Sequence, residues 1–209
     1  MSALGDTSMA DAFLAGKDLH SESAMGALGL SEDPTDEQRQ VGKTLNFSLV
    51  YGGGTPTIMR QLEVDWPTAR NLLRNFHGRW PGIQIVINTI NREIERKGYI
   101  KTLFGRNLRP DSEHKRLNAL VQGCAADLMR WALVNVDEQL KDADSHLVSV
   151  IHDELIIDST KAELDWLVEM VPQWMRYPEV EEFVPIGVDP EVSFTNWAEK
   201  GKIERVREL

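Results

Sequence analysis

The sequence predicts an α+β fold, mainly helical, with its strands concentrated in the second half. Two observations carry this. Helix start and stop signals bracket a series of stretches between residues 35 and 140. A β-rich run around residues 149–157 is broken at its centre by His152-Asp153-Glu154, the pattern of two strands joined by a tight turn. At 209 residues the chain can bury a sizeable core, and its length suggests one or two domains.

Taken in order, Asp33-Pro34-Thr35-Asp36 reads as a helix start with Thr35 as N-cap. That helix runs to about Val50 and ends near Gly52. Pro67 opens a second helix through about Phe76, and Trp80-Pro81-Gly82 breaks it. A third runs from Gly82 to about Lys97 and stops at Gly98. Residues 99–104 read as a strand, followed by a turn at Gly105-Arg106. A long helix is expected over residues 112–140, then the hairpin, a helix over 161–175 and a last strand over 184–188. There are no internal repeats and no long low-complexity linker.

The net charge of -10 looks wrong for a binder of polyanions until it is divided along the chain. Residues 39–130 hold 15 Lys and Arg against 7 Asp and Glu, while the remainder holds 8 against 26. A basic segment between acidic flanks attracts phosphate locally. The single cysteine excludes an internal disulfide and fits a reducing, cytoplasmic setting. The first residues lack the basic start and apolar run of a signal peptide, and no apolar stretch approaches membrane-spanning length, so no membrane partner is expected.

Residues 39–52 are the most informative. Arg39, Lys43 and Phe47 are four apart, so on a helix they form one ridge, while Val41, Leu45 and Leu49 lie on roughly the opposite side and give it a core to pack on. Two cations followed by an aromatic plate match a nucleoside triphosphate: phosphates take Arg and Lys, and a sugar or base lies against the ring. The spacing alone also fits an amphipathic helix with a solvated basic face. In the long helix, Asn118 and Gln122 stand one turn apart. Amides on one face suit the minor groove, where every base pair presents an acceptor at purine N3 or pyrimidine O2. Cys124 reads as a small core residue.

The residue identities go further. Arg-x3-Lys-x2-Asn-Phe-x3-Tyr-Gly, from Arg39 to Gly52, resembles the fingers-helix motif of the family A DNA polymerases. Val-Ile-His-Asp-Glu-Leu-Ile, from Val150 to Ile156, resembles the palm motif of the same family, and Asn-x3-Gln-Gly-x-Ala-Ala-Asp from Asn118 to Asp127 is specific to it. Gly16 to Ala24 resembles the segment before the fingers helix, Thr102 to Arg106 the strand and turn entering the palm, and Asn196 to Glu199 the C-terminal end. Gln40 stands where the family usually has a second Arg, Gly53-Gly54 follow Tyr51, and Asn107-Leu108 interrupt the usual further arginines, so the resemblance assigns a role to Arg106 and leaves that of Arg109 open.

The resemblance implies a helical fingers subdomain over residues 1–100, with the end of a preceding palm helix at its N-terminus, and the C-terminal part of a palm over residues 101–209. It implies that His20, Arg39 and Lys43 hold the triphosphate, with Lys43 able to protonate the departing pyrophosphate. Phe47 would pack on the sugar and base, and Tyr51 would stack at the template end. Arg106, Asn118, Gln122 and His152 would contact DNA. Asp153 would ligate Mg2+, and Glu154 would be a more peripheral catalytic carboxylate. The partners are primer–template DNA and deoxynucleoside triphosphates.

One motif is missing. In the family, Asp153 works with an aspartate in an Asp-Tyr-Ser-Gln-Ile-Glu-type sequence, and this chain aligns downstream of it. Two-metal nucleotidyl transfer needs carboxylates that hold both ions roughly 3.5–4 Å apart. Asp153 does not build that cluster alone. The expectation is a C-terminal piece of polymerase, with the thumb and upstream palm strands absent, inactive by itself and completed in trans by an upstream polymerase fragment. The alternatives are a truncated reading frame and a non-catalytic DNA- or nucleotide-binding module. The small size suggests a phage or other mobile genome, and hence a bacterial or phage-infected cell.

Overall fold

The computed structural model describes residues 6–201 and divides into two compact units, with the boundary after Asp127. The first holds six helices in succession: α1 (Ser8–Leu14), α2 (Leu19–Leu28), α3 (Asp36–Val50), α4 (Thr55–Leu62), α5 (Trp66–Arg79) and α6 (Pro81–Lys97). The start of α3 follows the sequence signal: the Thr35 side chain accepts from the Gln38 backbone N–H, and Gln38 returns the bond to the Thr35 N–H, a complete capping box. Asp65 caps α5 and Pro81 opens α6. Gly98, at φ 77°, ends α6 in the left-handed conformation that glycine adopts without strain. α4 has no side-chain cap and gave no clear signal in the sequence.

These helices enclose one core. Leu45, Ile58, Ala69, Phe76 and Trp80 are fully buried, with Leu49 and Leu72 nearly so. The face of α3 predicted to be apolar is the one that packs, with Val41 partly buried against the same cluster. Gly42 lies where α3 crosses α2. A Cβ there would sit 2.0 Å from the His20 carbonyl oxygen and 2.7 Å from the Ala24 nitrogen, so the helices approach backbone to backbone.

The strand expected over 99–104 shrinks to β1 (Ile100–Lys101), paired antiparallel with β2 (Asn107–Leu108). The chain turns back early because Gly105, at φ 80°, donates its N–H to the Thr102 carbonyl, and Thr102 and Arg106 pair across the turn. The long helix begins with a 3-10 turn (Glu113–Lys115) and continues as α7 (Arg116–Gln139).

In the second unit, β3 (His146–Ile151) and β4 (Glu154–Asp158) form the expected hairpin, with Ile151 opposite Glu154 and a bulge between Leu147 and Ser149. Its inner residues Leu147, Leu155 and Ile157 pack with buried Val136, Leu140 and Leu167. α8 (Leu164–Trp174) is shorter than predicted, with Pro172 in its last turn, and a short α9 (Pro178–Glu181) follows. Residues 184–188 are not a strand. Pro185 has no N–H to give a ladder, Gly187 weakens an extended run, and among the described residues no strand lies beside it. A single antiparallel bridge forms farther on, between Val192 and Gly201. Among the described residues no helix is long and apolar enough to cross a membrane.

Candidate nucleotide and DNA site

The α2–α3 pair brings four of the predicted residues together. His20 lies in the first turn of α2; Arg39, Lys43 and Phe47 lie along α3; Tyr51 is its C-cap residue. The His20 and Phe47 rings are 5.8 Å apart at 43°, and Arg39 and Lys43 both act electrostatically on the imidazole. Phe47 and Tyr51 are 48% and 61% exposed, so both flat faces are available. Burial lowers the His20 pKa from its ordinary value, Asp18 opposes that, and Arg39 and Lys43 add to it. The ring is therefore biased toward the neutral form, a hydrogen-bonding group in the field of two cations.

Asp18 was not singled out in the sequence, yet it organises this corner. Its carboxylate caps α2 by accepting from the His20 N–H at 3.1 Å, accepts from the Ser21 hydroxyl at 2.9 Å, and ion-pairs with the Arg39 guanidinium. The Arg39 bond above all holds Asp18 well below the usual carboxylate range, and it raises Arg39 in turn. The two side chains are 39% and 42% exposed, so the pair is wet and easily exchanged. An anion arriving at Arg39 competes with one carboxylate already in place. The only sequence signal for this was an Asp two residues before the helical His, the spacing of an N-cap.

Asn46, also missed, lies one turn after Gly42. Its Nδ2 is 2.9 Å from His20 Nδ1 and donates to the Leu19 carbonyl at 3.3 Å, while its Oδ1 accepts from the Ser23 hydroxyl at 2.9 Å.

The predicted DNA contacts fall into two sets. In the first unit, Arg106 reaches α7: its Nε donates to Asp127 Oδ1 at 2.8 Å and its Nη2 to the Gly123 carbonyl at 2.9 Å. Its side chain remains 40% exposed, so the guanidinium is oriented by α7 and still meets solvent. Gly123 lets the Leu108 and Thr102 side chains lie close against α7, since a Cβ there would meet Leu108 Cδ1 at 2.7 Å and Thr102 Cγ2 at 3.2 Å. Gln122 is exposed, whereas the Asn118 Nδ2 is buried and, among the described residues, without a hydrogen-bond partner. The two amides thus differ in what they offer a partner. Cys124 is half-buried and burial pushes its thiol pKa up, in keeping with an unreactive packing residue.

In the second unit, His152 and Asp153 form the two-residue tip between β3 and β4. His152 sits at φ 53°, a left-handed conformation usually left to glycine at that turn position. Asp153 is exposed and forms no hydrogen bond or ion pair among the described residues. Glu154 differs sharply. It ion-pairs with Lys200 and accepts from Trp197 Nε1 at 3.2 Å, and Lys200 also reaches Glu191 at 3.3 Å. The Lys200 bond leads the causes that lower the Glu154 pKa. Neighbouring carboxylates in sequence therefore have different occupations: among the described residues Asp153 makes no polar contact, whereas Glu154 anchors residues 197–200. Among the described residues no three His, Cys, Asp or Glu side chains are grouped to hold a metal ion. Asp153 offers one carboxylate, and these residues alone do not complete a magnesium site.

Comparison with known proteins accounts for this set of motifs. Residues 1–199 match DNA polymerase family A. The chain is 34% identical to DNA polymerase I of Lactococcus lactis over 211 residues, covering 93% of this chain and 24% of that protein. It is 30% identical to DNA polymerase I of Geobacillus stearothermophilus, covering 88% and 23%, and 32% identical to the DNA polymerase of Mycobacterium phage D29, covering 92% and 32%. The chain thus spans about a quarter of the length of its bacterial relatives. Among solved structures it resembles the POL domain of Pol1 from M. smegmatis in complex with DNA primer–template and dNTP, with a TM-score of 0.74 and 29% identity over 82% of this chain and 33% of that one. The α+β architecture is that of a partial polymerase domain, fingers with part of a palm, and the chain belongs to DNA polymerase family A.

Proposed function

We propose that this chain is the C-terminal part of a DNA-directed DNA polymerase, with fingers over residues 1–100 and part of the palm over residues 101–209. In this reading it binds a deoxynucleoside triphosphate on the α2–α3 pair and primer–template DNA through Arg106, Asn118, Gln122 and His152. The observation that carries it is the convergence of His20, Arg39, Lys43 and Phe47, from two helices, into cations and a neutral imidazole beside an exposed ring. Arg39 and Lys43 neutralise the phosphates and Phe47 packs on the sugar and base. Lys43, an ammonium within reach of the same phosphates, is the group to protonate the departing pyrophosphate. Movement of the helix onto a correctly paired nucleotide would couple binding to selection.

Mg2+, when bound, would stabilise the attacking and leaving oxygens. Asp153 would be its ligand from this chain, and a second carboxylate would come from an upstream polymerase fragment supplied in trans. Val148, at the bulge of β3, and Val150 are 58% and 42% exposed, and this apolar surface supports a docking surface for that fragment. Glu154 acts from the periphery. A phage or other mobile genome, and the cytoplasm of a bacterial or phage-infected cell, is the setting this reading implies.

The test is titration of the chain with a fluorescent dATP analogue and with labelled primer–template, comparing Lys43→Ala. Loss of a charge-assisted contact should weaken dATP about tenfold or more and leave DNA affinity within about twofold. Equal dATP affinity in both proteins would contradict the nucleotide assignment. Binding of both ligands without primer extension, even beside the upstream fragment, would favour a non-catalytic binding module.

A further inference from the structure

A single line of hydrogen bonds runs from the core of the first unit to His20, and its polarity is fixed at both ends. Trp80 is fully buried, and its indole Nε1–H, which can only donate, gives a 2.8 Å bond to the Ser23 hydroxyl. Ser23 is itself fully buried, and with its oxygen accepting from Trp80 its own hydrogen goes to Asn46 Oδ1 at 2.9 Å. That sets the orientation of the Asn46 amide. The Leu19 carbonyl, which can only accept, lies 3.3 Å from the other end of the amide and requires the same orientation. Asn46 therefore presents an N–H2 to His20 Nδ1 at 2.9 Å. Facing a donor, Nδ1 must carry the lone pair, and the ring proton goes to Nε2.

We propose that the Trp80–Ser23–Asn46 relay locks His20 as the Nε2–H tautomer, so that it offers a neutral N–H donor, in the field of Arg39 and Lys43, to a phosphate of the bound triphosphate. The ligand clause rests on the nucleotide reading of the site; the tautomer does not. Asn46 and Ser23 are positioning residues. They touch no substrate and act through the ring that does. Protonation of the ring would set two donors against each other across the Asn46 contact, which agrees with the lowered His20 pKa. The charged groups around the ring are Asp18 at the start of α2, and Arg39 and Lys43 from α3. Gly42 contributes by letting α3 seat against the His20 backbone, which brings Asn46 within reach. Among the described residues Nε2 makes no hydrogen bond, so its proton is available.

The test uses the whole 15N-labelled chain at a pH above the ordinary His range. Long-range proton–nitrogen correlation spectra distinguish the two tautomers, and His20→Gln identifies the His20 signal among the five histidines. The expected wild-type result is a single Nε2–H tautomer. An Nδ1–H ring, or a fast-exchanging mixture, overturns the relay without any variant being needed. In Asn46→Asp a carboxylate replaces the donor, and the ring should switch to Nδ1–H; an unchanged tautomer there also overturns it. Titration with dATP should then move the wild-type Nε2 resonance. If dATP binds and this resonance stays still, the donor role is wrong. If dATP does not bind at all, the nucleotide reading fails and the phosphate clause with it, while the tautomer is judged by the spectra alone.

Discussion

Replacing Gly42 with Ala reverses the sign of an ordinary helix substitution, and the reversal can be worked from the structure. In the interior of a helix with open space around it, Gly→Ala stabilises by about 1 kcal/mol, because glycine loses more backbone freedom on folding. At Gly42 the new Cβ would lie 2.0 Å from the His20 carbonyl oxygen and 2.7 Å from the Ala24 nitrogen. Both are backbone atoms of α2, so relief requires moving a helix rather than turning a side chain. Overpacking of this kind costs about 1–3 kcal/mol, and a backbone obstacle places it near the top of that range. The net is a loss of about 2 kcal/mol, or roughly 4–8 °C in Tm for a chain of this size. Thermal unfolding followed by far-ultraviolet circular dichroism reads it. A Tm equal to or above wild type would refute the close crossing, and with it the placement of Asn46 against His20.

Asp18→Asn keeps an N-cap acceptor for α2 but removes the charge that competes at Arg39, so dATP affinity should rise about 1.5- to 5-fold in a fluorescence titration, the range expected of an exposed ion pair. The Glu154 carboxyl is held below its ordinary value of 4.5 in the folded chain. Its tie to Lys200 is therefore fully present above about pH 4.5 and lost as pH falls through the lower folded value, and amide exchange at Val192 and Gly201 should accelerate over that acidic window. Lys200→Met should remove that dependence; an unchanged profile would sever the link between Glu154 and the 192–201 bridge. His152→Gly relieves a left-handed residue and should stabilise the second unit by up to about 1 kcal/mol in thermal unfolding, while weakening primer–template binding if the imidazole touches DNA.

Local chemistry explains what the sequence made legible. Thr35 with Gln38, Pro81 and Gly98 act on backbone groups a few residues away, and each marked a helix end correctly. Failure came where an element depends on a distant neighbour. The run over 184–188 had β-rich residues but no strand to pair with, and β1 was cut short by a hydrogen bond from Gly105 to Thr102. The same divide runs through the site. Arg39, Lys43 and Phe47 were readable because one helix carries them at one spacing. Asp18, Asn46 and Lys200 were not, because their partners Arg39, His20 and Glu154 lie 21, 26 and 46 residues away. The contrast between Asp153 and Glu154 was equally hidden, since only folding brings Lys200 to one of them.

The most direct measurement is primer extension with Mg2+ and the four deoxynucleotides, using this chain alone and then with the product of the reading frame immediately upstream. The account predicts extension in the mixture only, lost with Asp153→Ala while the two chains still assemble. Polymerase-like extension by this chain alone, or undiminished extension by the Asp153→Ala mixture, would contradict it.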